Sequence, residues 1–185
     1  MKIKSNDWLF VTGKADAGKT FFIKAHIRGI PRQRLHIFDY NANDYGEFVH
    51  GNEPIVYLNR SGLPSEVDAF LNYCYNEGNC FVVLEEADNY LLNPSTTATR
   101  FVNTARNRNI GAAVNAKRAT AIKPVFRTRF NYLIMFKTDL PEDRRYLESW
   151  TGQEKFSLDF LSELQQGEYV VFDMQNQKLS GIMRL

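Results

Sequence analysis

Residues 11–20 read VTGKADAGKT, and the spacing Gly13-x-x-x-x-Gly18-Lys19-Thr20 constrains this chain more than any other feature. Glycines so placed let successive backbone N–H groups turn inward around an anion, and a lysine and a hydroxyl follow at once. This is the phosphate-cradling pattern. It predicts that Gly13, Lys14, Ala15, Asp16, Ala17, Gly18, Lys19 and Thr20 bind the phosphates of a nucleotide. Lys19 reaches the β and γ oxygens, and Thr20 holds Mg2+. The expected cofactors are ATP and Mg2+. The pattern carries weight only between a strand and a helix. WLFV (Trp8 to Val11) reads as a short buried strand, and KTFFIKAHIR reads as a helix stopped by Gly29 and Pro31.

The rest of the chain alternates in the same way. Strands are expected at 35–39, 54–58, 80–86, 111–116 and 131–137, with helices at 64–78, 95–107 and 141–152. EYVVFD and KLSGIMRL around MQNQ read as a closing hairpin. Strand–helix alternation argues for α/β architecture, a mostly parallel sheet flanked by helices with a C-terminal β-hairpin.

FVVLEEAD delivers two acids to the carboxyl end of a buried strand, where ligands of open α/β sheets bind. In such a place one carboxylate holds the metal, usually through water, and the next polarises the attacking water. Successive strand residues point to opposite faces, so only one of the pair is expected to face the metal. Glu85 is read as the metal-side residue and Glu86 as the base.

At 185 residues and 44% hydrophobic, the chain suits one domain with a sizeable core. No apolar run approaches the roughly 20 residues that span a bilayer, so no membrane insertion is expected and the protein reads as soluble and intracellular. Cys74 and Cys80 read as reduced core thiols. Charge is uneven along the chain. Between Asp88 and Asp139 there is no acid, while Arg100, Arg106, Arg108, Lys117, Arg118, Lys123, Arg127, Arg129 and Lys137 all fall inside. Such a stretch suits a surface facing a polyanion, or simply a solvated basic face.

The order of phosphate loop, strand with two acids, RNRNIGAAVNAKRATAIKPVFRTRFNYLIMF and LSELQQGEYVVFD resembles the FtsK/HerA superfamily of DNA-pumping ATPases. Within it the chain looks most like the small genome-packaging ATPases of membrane-containing viruses. The discriminating parts are the Arg-x-Arg before Ile110-Gly111, the strand GAAVNAKR and the late Leu-x-x-Leu-x-x-Gly-Glu. The resemblance implies a RecA-like (ASCE) P-loop NTPase fold, with residues 1–185 forming a single P-loop ATPase domain. It implies an ATP-driven double-stranded DNA translocase that packages a viral genome into a capsid. The partners would be double-stranded DNA, further copies in a homo-oligomeric ring (hexamer or pentamer), and the viral capsid or portal vertex. The location would be the host cytoplasm or the virion, at the packaging vertex. Two readings of the residues stay open beside it: a small P-loop kinase, and a nucleotide-dependent assembly or secretion ATPase.

Departures from the family pattern sharpen the expectations. Glu85 stands where the family usually has Asp. Lys117, followed by Arg118, stands where a polar sensor is commonly Gln, so Lys117 is expected to meet the γ-phosphate as a charge or to have left the site. Asp16 inside the loop is expected to point outward, because a carboxylate aimed at phosphate would repel it. An arginine from Arg106, Arg108, Arg127 and Arg129 is expected to complete a neighbour's site. Both pairs precede strands, and so lie at the sheet edge opposite their own phosphate loop.

Overall fold

Side-chain alternation builds two cores from one sheet. In the computed structural model, which describes residues 3–41, 44–48, 56–58, 63–152 and 157–185, strand β1 (Trp8–Thr12) sends Trp8 and Phe10 to one face and Leu9 and Val11 to the other. β4 (Phe81–Leu84) divides likewise, Val82 and Leu84 against Phe81 and Val83. Both faces of these strands are covered, which is why they read as continuous apolar runs.

The remaining strands are β2 (Leu35–Asp39), β3 (Val56–Leu58), β5 (Gly111–Ala116), β6 (Tyr132–Phe136), β7 (Glu168–Asp173), β8 (Lys178–Leu179) and β9 (Met183–Arg184). Their order is β3-β2-β4-β5-β1-β6-β7-β8, with β9 also on β7. β1 to β6 run parallel, and β7 returns antiparallel to β6 and carries β8 and β9 antiparallel to itself. The expected mostly parallel sheet and closing antiparallel segment are therefore present. β5 lies between the strand that leads into the phosphate loop and the strand that leads into the two acids.

Helix α1 (Lys19–Ile27) buries Phe22, Ile23 and Ile27 on the Leu9 and Val11 face. The opposite face receives α2 (Pro64–Glu77) through Val67, Phe70 and Leu71, α3 (Thr96–Thr104) through Phe101 and Val102, and α4 (Pro141–Thr151) through Leu147 and Trp150. Phe10 stacks on Trp150 at 5.1 Å between ring centroids, and the Trp8 indole donates to the Ile110 carbonyl at 2.8 Å, so its one polar atom is satisfied in the core.

Two boundaries differ markedly from the sequence reading. The strand expected to run through Glu86 ends at Leu84. The helix expected to reach residue 107 ends at Thr104, tightens into a 3-10 turn over Ala105–Arg108 and stops at Asn109 in a left-handed conformation, φ 54°. Of the strand expected at 54–58, residues 54 and 55 lie outside the described residues.

Candidate active site

The phosphate loop is shaped by close packing at its two glycines. Gly13 has φ 144°, and a Cβ there would stand 2.7 Å from Cβ of Phe136, at the end of β6. Gly18 has φ 109° and caps α1, and a Cβ there would stand 2.8 Å from a methyl of Leu185. Both are conformations that side chains resist, so glycine is required twice. The Lys14 N–H donates to the Lys137 carbonyl at 2.8 Å, and the Ala17 carbonyl accepts from the Gly167 N–H at 3.1 Å, which pins the loop to β6 and to the approach to β7. No side chain caps α1 and no acid lies in its first turn, so its opening amides suit an anion.

Lys19 is buried at the centre of the cradle, its ammonium donating to the carbonyls of Gly13 at 2.8 Å and Lys14 at 2.7 Å. Burial lowers its pKa, with Glu85 opposing. Lys14 itself faces outward and pairs with Asp139 at 3.4 Å. Asp16 adopts φ 60° with an exposed side chain, and it lines the cavity described below.

A cavity of about 290 Å³ joins Ala15, Asp16, Lys19 and Thr20 to Glu85, Glu86, Asn115 and Lys117, with Asn41 and Asp44 at its rim. Strand alternation applies only as far as Leu84, where β4 ends, so it does not govern the two acids that follow. Glu86 follows the strand end in a left-handed conformation, φ 47°, which swings its side chain back so that both acids line the same cavity.

The two carboxylates live in opposite surroundings. Glu85 is 1% exposed, and its two oxygens accept from the Tyr45 hydroxyl and the Asn115 amide. Burial pushes its carboxyl up to about 7 despite those bonds, with Asp44 and Asp39 adding to the rise. Glu86 is half-buried, and burial works on it in the same direction. Hydrogen bonds from Asn41 at 3.0 Å and from Lys117, paired at 2.9 Å, outweigh burial and hold its carboxyl below the usual range. Lys117 is raised in turn, chiefly by that bond. Lys117 therefore faces the cavity, whereas Arg118 turns away to the buried carboxylate of Asp143 on α4.

Sequence reasoning missed Asn41, Asp44, Tyr45 and Asn115. Asn115 left a signal, as the one amide inside the apolar run GAAVNA; Tyr45 left none, since its approach to Glu85 spans 40 positions. The donor set fits Mg2+. The Thr20 hydroxyl and Glu85 are hard oxygens, the Glu85 carboxyl is buried in negative surroundings that a cation would relieve, and the buried carbonyl oxygen of Asn115 has no partner. Mg2+ takes few protein ligands and keeps waters and phosphate oxygens, which suits a site with no cluster of three ligating side chains among the described residues.

The four arginines lie elsewhere, at the amino ends of β5 and β6. Arg106 donates to the Arg129 carbonyl and to Asn131 at 3.0 Å. Arg108 donates to the carbonyls of Asn76 at 2.8 Å and Tyr75 at 3.3 Å. Arg127 stacks over Tyr146 at 3.9 Å, and Arg129 reaches Asn103 at 3.3 Å. Arg106 and Arg108 are exposed, and Arg127 and Arg129 are half-buried.

Fold and site together define the P-loop NTPase class, with the acid-bearing strand set one strand away from the loop-bearing one. Among solved structures, the genome-packaging NTPase B204 of Sulfolobus turreted icosahedral virus 2, in complex with AMP, matches with a TM-score of 0.78 at 16% identity. The match covers 99% of this chain and 100% of B204. The pCW3 conjugation coupling protein TcpA matches with a TM-score of 0.63 at 14% identity, over 92% of this chain and 59% of TcpA. ATPases 2 and 3 of EssC from Geobacillus thermodenitrificans match with a TM-score of 0.58 at 12% identity, over 90% of this chain and 37% of that one. The chain shares the fold of these three proteins. No protein-family model matches the sequence, and no curated protein matches it.

Proposed function

We propose that this chain is an ATPase that drives double-stranded DNA as one subunit of a ring, packaging a viral genome into a capsid. One observation supports the catalytic part above the rest. Lys19 and Thr20 face Glu85, Glu86 and Lys117 across a single cavity. Likeness in fold to a viral genome-packaging NTPase supports the assignment to packaging.

In this reading the loop amides and Lys19 hold the β- and γ-phosphates. Thr20 and Glu85 would hold Mg2+, which would supply neutralisation of phosphate charge. Asn115 and Tyr45 fix the rotamer of Glu85. Glu86, held ionised, takes the proton of a water that attacks the γ-phosphorus as the bond to the leaving diphosphate breaks. Lys117 shares its charge between Glu86 and the γ oxygens. An arginine from a neighbouring subunit completes the neutralisation, and Arg106 and Arg108, being exposed, are the better placed of the four.

The test is ATP hydrolysis with and without duplex DNA. Strong stimulation by DNA is expected. Slow turnover indifferent to DNA would point to an assembly or secretion ATPase, and phosphate passed to a small acceptor would point to a kinase. Either result would overturn the proposal.

A further inference from the structure

A phosphate cradle accounts for one end of a nucleotide, and the sheet order says where the other end must go. The acids that follow β4 lie on one side of β1, across β5, while β6, β7 and β9 lie on the other side. A nucleotide whose γ end faces Glu85 and Glu86 therefore runs back across the loop and sends its base toward β7 and β9.

That direction leads to exposed apolar side chains. Met183 pairs with Tyr169, and cross-strand partners project to the same face; Tyr169 packs on Phe22 of α1 at 5.1 Å, so Met183 shares the α1 side. Leu185, two residues on, projects to that side as well. Its N–H donates to the Gly167 carbonyl at 3.0 Å, and opposite a glycine with φ 82° its side chain reaches over the phosphate loop to Gly18. Phe21 stands three positions beyond Gly18, on the same side of the first turn of α1. Phe21 is 58% exposed, Leu185 42% and Met183 40%, whereas Phe22 and Tyr169 beneath them are buried. Large apolar side chains left open next to the phosphate loop call for an apolar occupant.

We infer that Phe21, Met183 and Leu185 form a ledge on which the nucleobase of the substrate lies flat. The inference rests on the nucleotide reading of the phosphate loop. The ledge contacts the face of the base and not its hydrogen-bonding edge, and stacking of this kind is tolerant of base identity. The occupant is a nucleoside triphosphate chosen for its phosphates and for having an aromatic base.

Binding to ATP and to inorganic tripolyphosphate, which lacks a base, separates the ledge from the cradle. Phe21→Ala and Leu185→Ser replace exposed side chains and leave the core intact. Each is expected to weaken ATP roughly tenfold while leaving tripolyphosphate unchanged, and ATP and GTP are expected to bind the wild-type chain alike. Unchanged ATP affinity in both variants, or equal loss for ATP and tripolyphosphate, would overturn the ledge while the cradle stands. Failure of the wild-type chain to bind either ligand would overturn the nucleotide reading and the ledge with it.

Discussion

Lys19 and Glu86 separate binding from chemistry at the scale of single residues. Lys19 is the cation enclosed by the loop, so Lys19→Ala is expected to abolish nucleotide binding, measured by titration with a fluorescent nucleotide. Glu86 is held ionised by Asn41 and Lys117, which is the state a base needs. Glu86→Gln keeps its shape and loses its proton acceptor. It is expected to bind ATP normally and to hydrolyse it about 10² to 10⁴ times more slowly. If Glu85→Gln gave that phenotype and Glu86→Gln did not, the two roles would be reversed. The sequence made Lys19, Thr20 and both acids legible because each stands in a short local pattern. It hid Tyr45 and Asn41 because the contacts that bring them to the acids are long-range. It did not show that Glu85 and Glu86 would line one cavity, because strand alternation applies only while a strand lasts, and this one ends at Leu84.

At the scale of elements, the phosphate loop is held between two neighbours, and Gly13 marks the tighter contact. Any side chain there meets the backbone and Cβ of Phe136 on β6 and must adopt φ 144°. Gly13→Ala is expected to destabilise the fold by about 1–3 kcal/mol and to lower the melting temperature, read by circular dichroism. Strand β2 offers a pH-dependent counterpart. His36 lies buried on it against the ring of Tyr73, and burial lowers its pKa below 6.5, with Glu77 opposing. The folded state therefore prefers the neutral ring. Its contribution is complete above the unfolded value of about 6.5 and fades as pH falls toward the folded value, where the unfolded chain binds the extra proton. His36→Gln is expected to flatten the fall in melting temperature over that window. An unchanged slope would assign the acid sensitivity to other groups. The elements themselves were largely readable, since apolar runs bounded by glycine and proline fix most of the strands and helices. The end of α3 was not, because its tightening into a 3-10 turn depends on the Ala105 carbonyl meeting the Ile110 N–H at the sheet.

At the scale of the whole molecule, the nucleotide cavity and the arginines stand at opposite ends of the parallel strands. An arginine from this chain reaches a phosphate cavity most directly when that cavity belongs to a neighbour. Mixing Lys19→Ala subunits with Arg106→Ala or Arg108→Ala subunits creates interfaces that pair an intact loop with an intact arginine. Recovered hydrolysis is expected, since such a guanidinium is worth roughly 10³ to 10⁵ in rate. No recovery for either arginine would remove this pair as donors. The acid-free stretch from 89 to 138 supplies both these arginines and Lys117, and DNA affinity is expected to fall steeply with salt as counterions are released. The central claim is that hydrolysis at this cavity moves the chain along duplex DNA, and displacement of a third strand from a DNA triplex measures it most directly. With ATP the wild-type protein is expected to strip the third strand, and Lys19→Ala and Glu86→Gln are expected to leave it in place. Wild-type protein that hydrolyses ATP on duplex DNA yet never displaces the strand would contradict the account.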